Sequence, residues 1–240
     1  MATTSRVTSY VNHHRNGDDR SVLSKQELFL ELSSPTLLAL EAVMLPAVSY
    51  RAGATLFMEE QPARGVFVVY RGRVKLSICT ENGKTLIVRV AEAGEILGIG
   101  ATVRGLPYET MAETMETSEI SFIRQNDLLR LMRIHNDFAM HMAKQLSEEY
   151  NLTCHEMRSL LLSHSTAERL ARVLLKWLDK SDNTCVRLTL THEEIAQMIG
   201  TSRETVTRML AVFRKKHFIQ KDSSTLVVLN RGALESLVTR

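Results

Sequence analysis

The sequence is short of cysteine and of long apolar runs, and each shortage excludes something. Its three cysteines, Cys79, Cys154 and Cys185, lie far apart, and no CxxC or Cys/His spacing typical of a metal site occurs. The expectation is three reduced thiols with no shared role. No run of 18 apolar residues is present, so no stretch is long enough to cross a bilayer as a helix. The N-terminal stretch MATTSRVTSYVNHHRNGDDR lacks the apolar core of a signal peptide. A cytoplasmic protein with no membrane partner is expected. No glycine-rich phosphate loop, nucleophile–base pair or metal-ligand set is legible, so the chain does not read as an enzyme.

What the chain does have is core-forming material. Of its 240 residues, 44% are hydrophobic and 24% charged, a globular composition with enough apolar mass for one large domain or two small ones. The net charge of +3 hides an asymmetry. Residues 167–240 carry 13 Lys and Arg against 8 Asp and Glu, while residues 1–166 carry 17 against 19. Positive charge thus collects at the C-terminal end, where a polyanion would meet it.

Residues 1–22 are polar and aperiodic and read as a flexible extension, with His13 and His14 in it. Short helices are expected over 24–45, with Ser34 and Pro35 at a helix start. From about residue 48 the pattern is β-rich, with strands at 66–70, 73–79 and 85–90 and further ones within 109–123. Asn82-Gly83 reads as a hairpin turn in which both central residues take positive φ. Strands this short and this closely spaced predict an antiparallel barrel or jelly roll. From about 126 the period is helical. Ala139, Ala143, Leu146, Tyr150, Thr153, Met157 and Leu160 are spaced by threes and fours, which predicts a long helix over 136–163 joining two subunits as a coiled coil. His135, His141, His155 and His164 lie on or near it and read as solvated or packed imidazoles. HSTAERLARVLLKWL is a further amphipathic helix capped by Ser165 or Thr166, and CVRLTL a short strand after it.

The segment LTHEEIAQMIGTSRETVTRMLAVFRKKHFI has the grammar of a helix-turn-helix. Thr191 and Glu194 form a capping box, Gly200 stops the first helix with positive φ, and Ser202 caps the second. Val206, Met209, Leu210 and Phe213 then face inward, leaving Arg203, Glu204, Thr207 and Arg208 outside. Arginine can donate two hydrogen bonds to guanine, and glutamate can accept one from cytosine N4, so Arg203, Glu204 and Arg208 are the candidate base-reading residues. Thr191, Thr201, Ser202, Thr207, Arg214, Lys215 and Lys216 are the candidate contacts to the DNA backbone.

This segment resembles the helix-turn-helix of the Crp/Fnr family of bacterial transcription regulators, and SRETVTR is its most specific stretch. GATLFMEEQPARGVFVVYRGRVKL is similar to the start of that family's cyclic-nucleotide-binding-type β-roll, and HSTAERLARVLLKWL to the helix after its hinge. The resemblance covers about residues 25–235 and implies an α+β fold. Its parts would be a flexible N-terminal extension (1–22), an N-terminal antiparallel β-roll or jelly roll acting as effector domain (23–135), a dimerisation helix (136–163) and a C-terminal winged helix-turn-helix (164–240) with DSSTLVVLN as the wing. It implies a homodimer on palindromic double-stranded DNA with TGTGA-type half-sites, and RNA polymerase as a further partner. The rival reading is a sensor module whose C-terminal domain contacts protein.

The same resemblance marks a departure. Members that bind cyclic AMP carry a Gly-Glu-Leu turn and then Arg-Ser-Ala or Arg-Thr-Ala, the arginine pairing with the phosphate. Here Gly98 matches the turn, Ile99 stands at the glutamate, Glu109 at the arginine, and Thr110 alone fits the rest. A carboxylate repels a phosphate, so cyclic AMP binding of the usual kind is not expected; Arg89 and Arg104 are the nearby basic residues. The iron–sulfur members need an N-terminal cysteine cluster, and no cysteine precedes Cys79. The cofactor is left unassigned. Gly98, Ile99, Glu109, Thr110, Thr153 and Cys154 are the candidate effector-pocket residues.

Overall fold

A computed structural model describes residues 29, 31–180, 185–187, 190–222 and 225–238. The N-terminal extension expected over 1–22, with His13 and His14, lies outside the described residues. Helix α1 (Ser34–Val43) starts with Pro35 in its first turn, where the missing N–H costs nothing. Eight strands follow: β1 (Val48–Tyr50), β2 (Thr55–Phe57), β3 (Gly65–Arg71), β4 (Val74–Cys79), β5 (Thr85–Ala91), β6 (Ile96–Leu97), β7 (Met111–Thr114) and β8 (Ser118–Arg124). A short helix α2 (Ile99–Arg104) interrupts them. They form two antiparallel four-stranded sheets in the orders β1-β8-β3-β6 and β2-β7-β4-β5. Non-sequential neighbours on both sheets are the mark of a roll. Phe57, Val69, Leu76, Leu97, Tyr108, Ala112 and Ile120 fill the space between the sheets.

The β4–β5 turn differs from the expected one in a detail. Gly83 has φ +75°, but Asn82 does not have positive φ. Gly83 N–H donates to Thr80 O at 2.8 Å and Thr80 N–H to Lys84 O at 2.9 Å. This longer loop needs only one left-handed residue, so glycine alone supplies it.

Helix α3 (Gln125–Ile134) leads into α4 (Asn136–Leu162), 27 residues without glycine or proline. Its start is fixed by Asp137. That carboxylate accepts from Ser33 N–H at 2.9 Å, from the Thr36 hydroxyl at 2.8 Å and from Phe138 N–H at 3.0 Å, binding the start of α1 to the start of α4. Phe138 and Met142 are fully buried and pack with Phe29, Leu40, Val66, Val68, Ile96, Ile123 and Leu128.

The face of α4 away from the roll corrects the expected seam. Leu146 packs on the roll's core, and Ala139, Thr153 and Leu160 are half-buried within the chain. A line of exposed positions, Met140, Ala143, Ser147, Tyr150, Met157 and Leu161, runs along the helix, with the half-buried Cys154 between Tyr150 and Met157. Met140, Tyr150, Met157 and Leu161 are 61, 69, 53 and 74% exposed. This line and the expected one share Ala143, Tyr150 and Met157; of the rest, Leu146 packs on the roll and Leu160 lies beside Gly200.

The rest of the chain forms α5 (Thr166–Lys180), β9 (Cys185–Arg187), α6 (His192–Ile199), α7 (Arg203–Lys215), β10 (Ile219–Asp222), β11 (Thr225–Val228) and α8 (Arg231–Val238). Ser165, not Thr166, caps α5, accepting from Glu168 N–H at 3.1 Å. Strands β9, β11 and β10 make a small antiparallel sheet, with the β10–β11 hairpin where the wing was expected. Leu170, Leu174, Ile195, Val206, Phe213 and Leu234 are its buried centre.

Two outcomes follow for stability. Phe138→Ala, which empties a fully buried site joining α4 to the roll, should lower stability by about 3–5 kcal/mol in denaturant titration at fixed protein concentration. Asp137 is held well below the usual carboxylate range, first by the Ser33 backbone N–H and then by the Thr36 and Ser33 hydroxyls. Its folded pKa is depressed, so its stabilisation is present above the unfolded value of about 4 and is lost as pH falls below it. Asp137→Asn should flatten the loss of stability on acidification, read from denaturation midpoints across that range.

Candidate nucleic-acid interface and effector cavity

Helix α6 begins at a capping box: Thr191 Oγ1 accepts from Glu194 N–H at 3.1 Å, and a Glu194 carboxylate oxygen accepts from Thr191 N–H at 2.8 Å. Ile195, Ala196 and Ile199 are buried, and the small Ala196 lets α7 cross closely. Gly200 ends α6 with φ +63°, its N–H returning to Ala196 O. A β-carbon there would be left-handed and strained. Ser202 Oγ then accepts from Thr205 N–H at 3.3 Å and starts α7. Val206, Leu210 and Phe213 are buried, while Arg203, Glu204, Thr207 and Arg208 are all exposed on the other side.

The electrostatics of that face are specific. The Glu204 carboxyl sits below its ordinary range, held first by its own backbone N–H and then by the Ser202 hydroxyl. No ion pair joins it to Arg208 among the described residues. Both groups therefore face outward separately. The Thr207 hydroxyl donates to Arg203 O at 3.0 Å, which commits its only proton. His192 Nδ1, 2.8 Å from the same oxygen, must then be the donor in that contact. Sequence reasoning missed His192; its position in the first turn of α6, on the side that α7 crosses, was the available signal. Thr191, Ser202, Arg214, Lys215 and Lys216 are exposed and Thr201 is half-buried. Lys216 lies past the end of α7, its ammonium 5.9 Å from the Phe218 ring centre.

In the roll, a cavity of about 270 Å³ opens between the second sheet and α4. Gly98, Ile99, Glu109, Thr110 and Thr153 line it; Cys154, half-buried, does not, because one residue along a helix turns it by about 100° from Thr153. Gly98 has φ +80°, and a β-carbon there would meet the Tyr108 ring at 2.6 Å. Tyr108 stacks on Phe57 with centroids 4.0 Å apart and donates to Gly65 O at 2.6 Å. These contacts fix the apolar wall.

The group that sequence reasoning left unplaced is Arg89. It lines the cavity while only 9% exposed. One guanidinium nitrogen donates to Glu95, the other to Glu149 Oε1 of α4 at 3.1 Å. On the cavity's far side the same three residues border a groove with Gln145, Glu148 and Leu152. The signal was there: Ile87, Arg89 and Ala91 occupy the buried phase of β5, and a charge in that phase needs internal partners. Arg104 stays outside, 3.7 Å from Glu109, with both residues exposed. Among the described residues no cluster of His, Cys, Asp and Glu has metal-binding geometry, and no helix is long and apolar enough to cross a membrane.

Comparison with known proteins gives two family matches: a cyclic nucleotide-binding domain over residues 47–135 and a Crp-like helix-turn-helix domain over 168–237. The cAMP-activated global transcriptional regulator CRP of Pasteurella multocida is 26% identical over 184 residues, covering 75% of this chain and 88% of that protein. The anaerobic regulatory protein of Bacillus subtilis is 26% identical over 182 residues, covering 73% and 76%. Among solved structures, FixK2 from Bradyrhizobium japonicum superposes with a TM-score of 0.71 at 22% identity, over 80% of this chain and 98% of that one. The c-di-GMP responsive regulator CLP of Xanthomonas campestris gives 0.71 at 18% identity, over 82% and 99%. With its antiparallel roll, long helix and Crp-like helix-turn-helix, the chain belongs to the Crp/Fnr family of transcription regulators.

Proposed function

We propose that the protein acts as a homodimer that reads palindromic double-stranded DNA through α7, and that its roll does not bind cyclic AMP in the usual way. The observation that carries the first part is the exposed face of α7: Arg203, Glu204 and Arg208 stand out from a helix whose other side is buried, with no ion pair linking Glu204 to Arg208 among the described residues. Arg203 and Arg208 offer paired donors to guanine, and Glu204 an acceptor to cytosine. Thr191, Thr201, Ser202, Arg214, Lys215 and Lys216 hold the flanking phosphates, and Thr207 joins them only by giving up its bond to Arg203 O. TGTGA-type half-sites are what the family resemblance implies for this trio.

The exposed stripe of α4 supports the dimer. A row of Met140, Tyr150, Met157 and Leu161 facing solvent on a long helix is what a second copy would bury. The reading divides the chain at 22, 135 and 163 into extension, effector roll, dimerisation helix and DNA-binding domain. It places the protein in the cytoplasm with RNA polymerase as partner at promoters. Cyclic AMP is disfavoured because Ile99 and Glu109 occupy the cassette positions and Arg89 already has two carboxylates. One relative is named as cAMP-activated and one structural neighbour as c-di-GMP responsive, so rolls of this type take different ligands.

In gel shifts, a TGTGA palindrome should bind more tightly than scrambled DNA. Arg203→Ala and Arg208→Ala should each cost about 1–3 kcal/mol on the palindrome only. Lys215→Ala should weaken all sequences alike and reduce the salt slope by about one. Equal binding of both DNAs, unaffected by Arg203→Ala, would favour the protein-contacting sensor instead. Isothermal calorimetry should show no micromolar cyclic AMP binding. By sedimentation, Tyr150→Asp together with Met157→Asp should turn dimer into monomer; a wild-type monomer would sink the dimer reading.

A further inference from the structure

The cavity in the roll has a charge balance that selects among ligands. Its walls are apolar: Phe57, Leu76, Val88, Ile99 and Tyr108. Glu95 and Glu149 are both engaged by Arg89, and Glu109 faces Arg104 at the rim. An anion entering would meet these carboxylates with the nearest guanidinium already taken. A cation would meet the Arg89 guanidinium at close range. Neither charge gains what it loses on leaving water.

Two hydrogen-bonding groups, one on β5 and one on α4, are open to an occupant. Arg89 is nine-tenths buried, and its Nε–H has no acceptor although both terminal nitrogens are engaged. A buried donor without a partner is costly and is the natural anchor for an incoming carbonyl. The Thr153 hydroxyl donates to Glu149 O at 2.9 Å, so toward the cavity it offers only an acceptor. Of the two other hydroxyls at the wall, that of Tyr108 is committed to Gly65 O, and that of Thr110 stands next to Glu109 in the chain. A free donor on β5 and a free acceptor on α4, from two residues that line the same cavity, match a group that carries both a carbonyl and an N–H. At about 270 Å³ the space lies just below the usual range of roughly 300–1,000 Å³ for drug-sized ligands, so the occupant is compact.

We propose that this cavity binds a small uncharged amide with an apolar body, its carbonyl on Arg89 Nε and its N–H on Thr153 Oγ1. The proposal rests on reading the roll as the effector domain and assigns the chemistry of what it senses. Because Arg89 also holds Glu149, the amide would act on the contact between roll and long helix.

The test uses three probes of one shape: benzamide, benzoate and benzamidinium, each titrated into the full-length protein and followed by saturation-transfer NMR. Benzamide should bind at least tenfold more tightly than either charged analogue. Arg89→Lys, which keeps a cation for the two carboxylates but has no Nε, should weaken benzamide at least tenfold. If that variant does not fold by circular dichroism, Val88→Trp, which fills the cavity, should abolish benzamide binding instead. Benzoate or benzamidinium binding as well as benzamide overturns the proposal, as does the absence of binding by all three or binding that survives Val88→Trp. DNA affinity is read on the same samples. Lost benzamide binding with DNA affinity intact removes the site and leaves the regulator standing. Benzamide binding with unchanged DNA affinity keeps the site and removes its effector role.

Discussion

A guanidinium inside a protein wall has to be neutralised where it stands, because moving it to water would break the wall. Arg89 is that group here. Glu95 answers it from its own roll, and Glu149 answers it from the long helix. The second bond sets the register of α4 against the second sheet and closes the cavity on one side. It also decides which residues of α4 face inward. Phe138, Met142, Leu146, Glu149 and Thr153 follow one helical line, and Met140, Tyr150, Met157 and Leu161 on the other side are exposed.

The long helix passes this placement on to the DNA-binding domain. Near its end, Leu160 comes within 3.8 Å of where a β-carbon on Gly200 would lie, at the turn between α6 and α7. Glu156 pairs with Lys176 of α5, and Arg169 donates to Ile199 O at 2.8 Å, tying α5 to the last turn of α6. Between these contacts the chain is extended at Ser163, and Glu168 accepts from His164 N–H at 2.8 Å. The roll, the long helix and the helix-turn-helix are thus joined by a series of direct contacts.

The sequence carried different parts of this with different clarity. Local rules made the helix-turn-helix legible: a capping box, a left-handed glycine and a second cap all fall within twelve residues and need no distant partner. The strands of the roll were legible as short β-rich runs divided by turn residues, because both signals are local. The sidedness of α4 was less legible. Leu146 has the spacing of a seam residue but packs on the roll's core, and Leu160 lies beside Gly200 at the α6–α7 turn. Arg89 and Glu149, 60 positions apart, could not be paired from spacing. Nor could His192 and Thr207, whose shared hydrogen bond depends on the crossing of two helices. Contacts set by tertiary geometry leave only a faint trace in sequence, here a charge in the buried phase of a strand.

Thr153 and Cys154 are neighbours, both half-buried, and only Thr153 lines the cavity. That adjacency puts a rule on length rather than on composition. One inserted residue between Thr153 and Ser163 would turn the reading head by about 100° about the helix axis, while leaving the cavity untouched. Seven inserted residues would leave it within about 20° of its original direction. This stretch can therefore drift in sequence, but it changes length only in near-whole turns: it is the part of the molecule where insertions and deletions are quantised.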